Sequence, residues 1–425
     1  MGEESTFSLK SSYYQLAKTP SFLVFLIGRV ISLLGDMLFS MATMWYVLEK
    51  TNSPMSTAVV VVIPMLTALV VFQPFATIAD RLHKKVVLVG SDVFRAAVVL
   101  LVALLMTVHR VDTVGIYVAT FFLTLAGYLF GPAQNAALPR VLPNSEKLLP
   151  IANSLLSATS GIISLLGYAI GGIIVAILYP VGAVVADGCS FLISALSILV
   201  LPIPALRAKG RKGVWGFVKD SFAGLQFIWN RPAIRMFGLF VLLINFVSGP
   251  AGVLTVVFSR SVLHAGLQGY GYLEAAYAVG GVVGSVVSAW ASRRLRLWQL
   301  SFIALVGSGL SLASMPIAAS LIESIIALTL ASIVITMLNI PLFTALQLLS
   351  PEELRGRVMA SFGLFAGIGQ PLGLLIGSWL MGAIAPSPVF LASGILLAMC
   401  GILSFFSRTL RGRQNQLESQ SEVQI

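Results

Sequence analysis

Twelve times along this sequence, apolar residues run for more than twenty positions with hardly a charge among them. The runs fall near 22–46, 57–79, 87–108, 113–138, 150–178, 181–204, 233–259, 268–291, 298–318, 322–348, 357–384 and 387–407. A helix of about 20 mostly apolar residues crosses the ~30 Å hydrocarbon layer of a bilayer. Backbone groups in hydrocarbon must be paired within the segment, which favours helices for spans of this length. Composition agrees: 57% of the residues are hydrophobic and 10% charged, with a mean hydropathy of +0.95. Soluble domains have about 45–50% and about 25%. The expected fold class is therefore an all-α integral membrane protein with twelve transmembrane helices, and the lipid bilayer is its first partner.

The net charge of +11 raises the question of nucleic acid, and its distribution answers it. If the N-terminus is cytoplasmic, 21 of the 27 Lys and Arg residues fall in cytoplasmic segments. Only Lys50, Arg110 and Arg260 fall outside, and Arg29, Arg95 and Arg235 lie within spans. Positive charge remains on the cytoplasmic side of membrane proteins, so the balance reads as topology, with both termini inside and no nucleic-acid partner. The polar segment RAKGRKGVWGFVKD, continuing to about Arg231, divides the chain. The expected organisation is a cytoplasmic segment (1–21), a six-helix bundle (22–204), a cytoplasmic linker (205–232), a second six-helix bundle (233–407) and a cytoplasmic tail (408–425). No cleavable signal peptide is expected, because the first twenty residues are polar. Tyr13, Tyr14 and Lys18 suit a short interfacial helix. Cys189 and Cys400 have no metal-ligand spacing and supply no disulfide framework.

The two halves echo each other. Nine residues separate Pro143 from Ala152 and Pro351 from Ala360, and Gly167 and Gly171 repeat the step of Gly373 and Gly377. ADRLHKK after span two corresponds to ASRRLRL after span eight. Parallel six-span repeats of this kind are typical of transporters that rock about a central site. The stretch AxIADRLHKK, with Asp80, Arg81, Lys84 and Lys85, resembles the G-x-L-A-D-R-x-G-R-K signature of the major facilitator superfamily. GRVISLLGD in span one, FGPAQNAALPRVLP with IANSL, and SPEELRGRVMA resemble that superfamily's drug–proton antiporter branch, in particular macrolide-efflux and siderophore-export proteins. The span-five motif reads GYAIGG, with Tyr168 where the family has proline.

The resemblance implies two pseudo-symmetric six-helix bundles working by alternating access. It implies that Asp80 latches the halves at the cytoplasmic end, facing the start of span eleven near Arg357 and Arg140 after span four, with Arg81, Lys84 and Lys85 in the same network. It also places spans one, four, seven and ten around the substrate cavity, which assigns Arg29, Met41, Trp45, Tyr128, Asn245, Phe246, Met337, Asn339 and Phe343 to its lining. Met and aromatic surfaces suit varied hydrophobic ligands. Packing is the alternative reading for each.

Charges within spans need their own account. Asp36 stands deep in span one, where a charge costs about 2.5–3.5 kcal/mol or more. It reads as a protonatable coupling site or a cation binder, or as a structural aspartate held by Arg29 or by hydroxyls. Glu274, flanked by Tyr270, Tyr272 and Tyr277, and Asp187 in span six are further proton-coupling candidates. Asp92 and Arg95, three apart on one helical face, either pair locally or join the latch. Breaks at Ser248-Gly249-Pro250 and at Pro341 would let spans seven and ten bend. No catalytic constellation, metal set or phosphate-cradling G-x-x-x-x-G-K-[ST] motif is visible. An enzyme is not expected, and neither is a cofactor.

The sequence thus reads as a monomeric secondary transporter of a bacterial-type inner membrane, exporting amphipathic or cationic drug-like molecules in exchange for protons. A facilitator or exporter of a lipid, siderophore or metabolite stays open, as does a membrane sensor that does not transport.

Overall fold

The computed structural model describes residues 14–142, 145–202, 232–318, 320–349 and 355–406. Side chains at 70–81, 145–147, 345–349, 355–358 and scattered other helical positions lie outside that description. Helix after helix follows the apolar runs: α1 Pro20–Thr51, α2 Pro54–Arg81, α3 Lys84–Thr107 and α4 Thr113–Val141. The next run, Ser145–Val200, is helical throughout except at Tyr179, whose φ of 59° and ψ of 165° break it just before Pro180. Its two parts are α5 (145–178) and α6 (180–200). Then come α7 in two pieces, Pro232–Ser248 and Ala251–Ser261, followed by α8 Gly266–Ala291 and α9 Leu297–Ser314 with a 3-10 turn at Met315–Ile317. The last three are α10 Leu321–Leu349, α11 Arg355–Ile384 and α12 Pro386–Phe406. Among the described residues, ten stretches are long and apolar enough to cross a membrane. Pro54–Leu69 and Leu148–Ser164 are shorter apolar helices.

The ends of these helices follow from local chemistry. Proline opens α1, α2 and α12, at a position where no intrahelical N–H bond is lost. Asp112 caps α4 by accepting the Gly115 amide at 2.7 Å, and Gln299 reaches back to the Arg296 amide at 2.8 Å at the start of α9. Before α1, residues 14–17 form one helical turn. Leu16 is buried there among Phe22, Phe25 and Leu88, and the Lys18 ammonium lies 4.2 Å from the Tyr14 ring centroid. Large apolar side chains stay exposed along the spans, among them Leu104, Leu196, Val200, Val286 and Leu310. Such a surface needs lipid rather than water.

The chain divides into two units. One holds Met1–Thr43, Leu66–Gly167 and Ile177–Val214, and the other holds Met44–Met65, Tyr168–Ala176 and Trp215–Ile425. In the second unit small residues set the helix spacing. The interruption of α7 at Gly249–Pro250 lies against α11, where a side-chain carbon on Gly373 would sit 2.6 Å from the Phe246 carbonyl carbon. Only glycine allows that approach. By contrast α10 continues through Pro341 without a break. Hydroxyls tie α8 to α10, with Ser332 donating to the Tyr277 carbonyl at 2.6 Å and Ser288 to the Met337 carbonyl at 2.9 Å. Both cysteines are free, Cys189 exposed and Cys400 buried. The expected linker (apart from Pro232) and the expected C-terminal tail lie outside the described residues.

Candidate functional site

Three helices of the first unit bring charge together, and a fourth adds an aromatic ring. Asp36 stands on α1, about 24 Å along the helix from Pro20, and its side chain is exposed. Exposure to hydrocarbon at that depth carries the penalty given above, so this face of α1 needs water. Asp187 of α6 is 1% exposed. Ser190 donates to its Oδ1 at 3.3 Å, while among the described residues its Oδ2 has no hydrogen-bond partner. Gly35 explains how α6 comes so near: a side-chain carbon there would meet the Ser190 Cβ at 2.9 Å and press on the Asp187 carboxylate. Asp187 therefore lies against the backbone one residue before Asp36.

Asp92 and Arg95 of α3 complete the group. They are 0% and 5% exposed and form an ion pair through Asp92 Oδ1. Two rings hold the Arg95 guanidinium, Phe130 of α4 with its centroid at 4.6 Å and Phe191 of α6 at 4.3 Å. Each such contact contributes about 0.5–2 kcal/mol when shielded from water. Asp36 and Asp187 both feel the charge of Arg95, and each other. Three carboxyls thus lie in the field of one guanidinium, which is paired with Asp92. Arg29, two turns before Asp36, is engaged elsewhere, with one amino group on Gln134 and the other donating to Ser160 at 3.0 Å.

The second unit holds a separate acid. Glu274 of α8 is partly buried and accepts a hydrogen bond from Thr255 of α7 at 2.8 Å. Among the described residues it has no basic partner. Tyr270 and Tyr277 lie one turn to either side on the same helical face. Trp45 packs parallel to Tyr270 at 6.4 Å between centroids, and the Met44 sulfur lies 4.0 Å from the Tyr270 hydroxyl. Nearby, Arg260 of α7 donates to the carbonyls of Leu48 and Glu49 at the C-terminal end of α1. A cation there complements the helix dipole. Leu48, Asn52, Val257, Arg260 and Met381 help line a hollow of about 380 Å³.

The remaining sequence candidates are distributed as follows. Met41, Trp45 and Met337 are buried and pack; Tyr128, Asn245 and Phe246 are partly exposed; Asn339 and Phe343 are exposed. The Asn245 amide is tied to the Val241 carbonyl at 2.9 Å. Lys84 is buried at the start of α3, and Arg140 is partly buried near the end of α4. Lys85 donates to the carbonyls of Leu199 and Leu201 at 2.8 and 2.9 Å, capping the end of α6. The side chains of Asp80, Arg81, Tyr168 and Arg357 lie outside the described residues. Sequence reasoning did not find the Phe130 and Phe191 rings beside Arg95, nor Ser190, Ser160 or Gln134. A glutamine inside an apolar run was a usable signal for the last of these.

A chain that crosses the bilayer many times and keeps carboxyls without cations of their own inside its spans has the build of a solute transporter. The model for the Major Facilitator Superfamily matches residues 25–373, and the chain belongs to that superfamily. The multidrug efflux pump Tap of Mycolicibacterium fortuitum is 26% identical over 386 residues, which cover 89% of this chain and 93% of that one. Macrolide efflux protein A of Streptococcus pyogenes is 22% identical, covering 88% and 93%. Among solved structures, the nucleoside transporter NupG superposes with a TM-score of 0.71 at 13% identity, over 91% of this chain and all of that one. A bacterial homologue of the iron transporter ferroportin gives 0.67 at 17% identity, over 94% and all of its length. At these identities the structures speak for the fold alone.

Proposed function

We propose that this multi-pass transporter exports amphipathic, cationic drug-like molecules and takes up protons in exchange, with Asp36 as the coupling carboxyl. The observation that carries the reading is an exposed aspartate in mid-span, beside a buried ion pair and a second acid. A carboxyl in that setting gains or loses a charge at little structural cost, and its position on α1 is an accessible one. Its protonation removes the attraction that holds a cation and thereby favours release. The names of the drug-efflux relatives point the same way. Export also suits the proposed topology, with both termini cytoplasmic, two six-helix halves joined through 205–232, and a monomer as the working unit in a bacterial cell membrane. In that arrangement Asp80, Arg81 and Arg357 form the cytoplasmic latch. Arg260 holds the outward end of α1.

The test is transport by the purified protein in liposomes under an imposed pH gradient, with ethidium and erythromycin as probes. Ethidium movement that follows the gradient and is lost in Asp36→Asn is the expected result. Movement that ignores the gradient would leave a facilitator in its place. A nucleoside transporter and a homologue of an iron transporter share the fold, so the fold itself does not select drugs.

A further inference from the structure

We propose that Asp187 is the second half of the proton site, so that one proton is shared between Asp36, which meets water, and Asp187, which does not. This rests on the proton-coupled reading above. The step is a proton transfer alone: the Asp36 carboxylate takes a proton from hydronium, releasing water, and passes it to the Asp187 carboxylate, leaving Asp36 ionised, and the reverse path releases it.

The geometry argues for it in three parts. First, Gly35 lets α6 approach to backbone contact one residue from Asp36, which brings the Asp187 carboxylate to the neighbouring position of α1. Second, Asp187 is almost wholly buried, and among the described residues its Oδ2 has no hydrogen-bond partner. A buried acceptor left unsatisfied costs about 1–3 kcal/mol, and more when it is charged. A shared proton removes that cost. Third, the one cation in reach is already committed. Arg95 is paired with Asp92 and flanked by the rings of Phe130 and Phe191, so Asp92 and Arg95 form a neutral pair.

The charged groups facing this point are few among the described residues. Helix α1 brings Asp36, α3 brings Asp92 and Arg95, and α6 brings Asp187. Arg29 is occupied by Gln134 of α4 and Ser160 of α5, neither of which titrates. Full ionisation would leave two uncompensated negative charges within the spans, whereas a shared proton leaves one. Two close carboxyls titrate as a pair for this reason. Among the described residues, no set of His, Cys, Asp and Glu is arranged to hold a metal ion instead.

The experiment reconstitutes the full chain in liposomes and follows ethidium in two ways. One is accumulation driven by a pH gradient, and the other is exchange at equal pH. Wild type should accumulate ethidium. Asp187→Asn should lose accumulation while retaining exchange, and Asp187→Glu should restore accumulation. The pH midpoint of transport in Asp187→Asn should move to lower pH by about one unit, because Asp36 no longer has an acidic neighbour. Wild-type accumulation in Asp187→Asn would overturn the shared site and leave coupling through Asp36 intact. Loss of both activities, unrepaired by Asp187→Glu, would make Asp187 structural and overturn the proposal. If wild type itself ignores the pH gradient, or follows sodium, the parent reading fails and this one with it.

Discussion

Replacing Arg95 by methionine removes the one cation that, among the described residues, stands with the three acids, two of them buried. Methionine is close in length and remains between Phe130 and Phe191 with favourable sulfur–ring contacts. The loss therefore comes chiefly from Asp92, which is 0% exposed and would stand without its partner. Breaking a buried pair on one side costs about 3–5 kcal/mol. Asp92→Asn alone strands the guanidinium, although the two rings soften that loss. The double variant Arg95→Met with Asp92→Asn leaves a neutral amide beside a thioether and should cost only about 1–2 kcal/mol. The double variant is thus expected to be more stable than Arg95→Met, with an interaction energy of about 3 kcal/mol, near the upper end for residues in contact. Thermal unfolding in dodecyl maltoside, followed by tryptophan fluorescence, ranks the four proteins. In acid a proton can stand in for the missing guanidinium, so the deficit of Arg95→Met should narrow as the pH falls. If the double variant loses the sum of the two single losses at every pH, Asp92 and Arg95 do not act as a unit, and the reasoning fails.

Four other substitutions separate packing from function. Glu274→Gln keeps an oxygen for the Thr255 hydroxyl, so thermal stability should change by less than about 1 kcal/mol while ethidium export falls and transport of uncharged substrates persists. Arg260→Ala removes the donors to Leu48 and Glu49; on a Cys189→Ala background, maleimide should then label a cysteine at Asn52 faster than in the parent. Gly373→Leu cannot meet the Phe246 carbonyl and should abolish monodisperse protein, whereas Gly90→Ala, with nothing within 4 Å, should gain about 0.5–1 kcal/mol.

Parts of this arrangement were plain in the sequence for physical reasons. Hydrocarbon thickness sets the length of each run, so the spans announced themselves, and Gly249–Pro250 marked the break in α7 because proline cannot continue the ladder. Pro341 carried the same signal but α10 absorbs it, which local rules do not decide. The spacing of Asp92 and Arg95 put them on one face, yet nothing local said that rings from α4 and α6 would close on the guanidinium. The nearness of Asp36 to Asp187 was hidden in the same way. It depends on Gly35, whose missing side chain matters only once α6 lies against it.

The most direct test of the central claim counts protons against substrate in the same vesicle. Purified protein is reconstituted with pyranine inside, ethidium is added at equal pH, and the internal pH is followed as ethidium moves. The account predicts an internal pH change in step with ethidium movement, opposite in sign to that expected if proton and dye travel together, and absent in Asp36→Asn. Ethidium movement with no pH change in wild type, or an unchanged proton signal in Asp36→Asn, would contradict it.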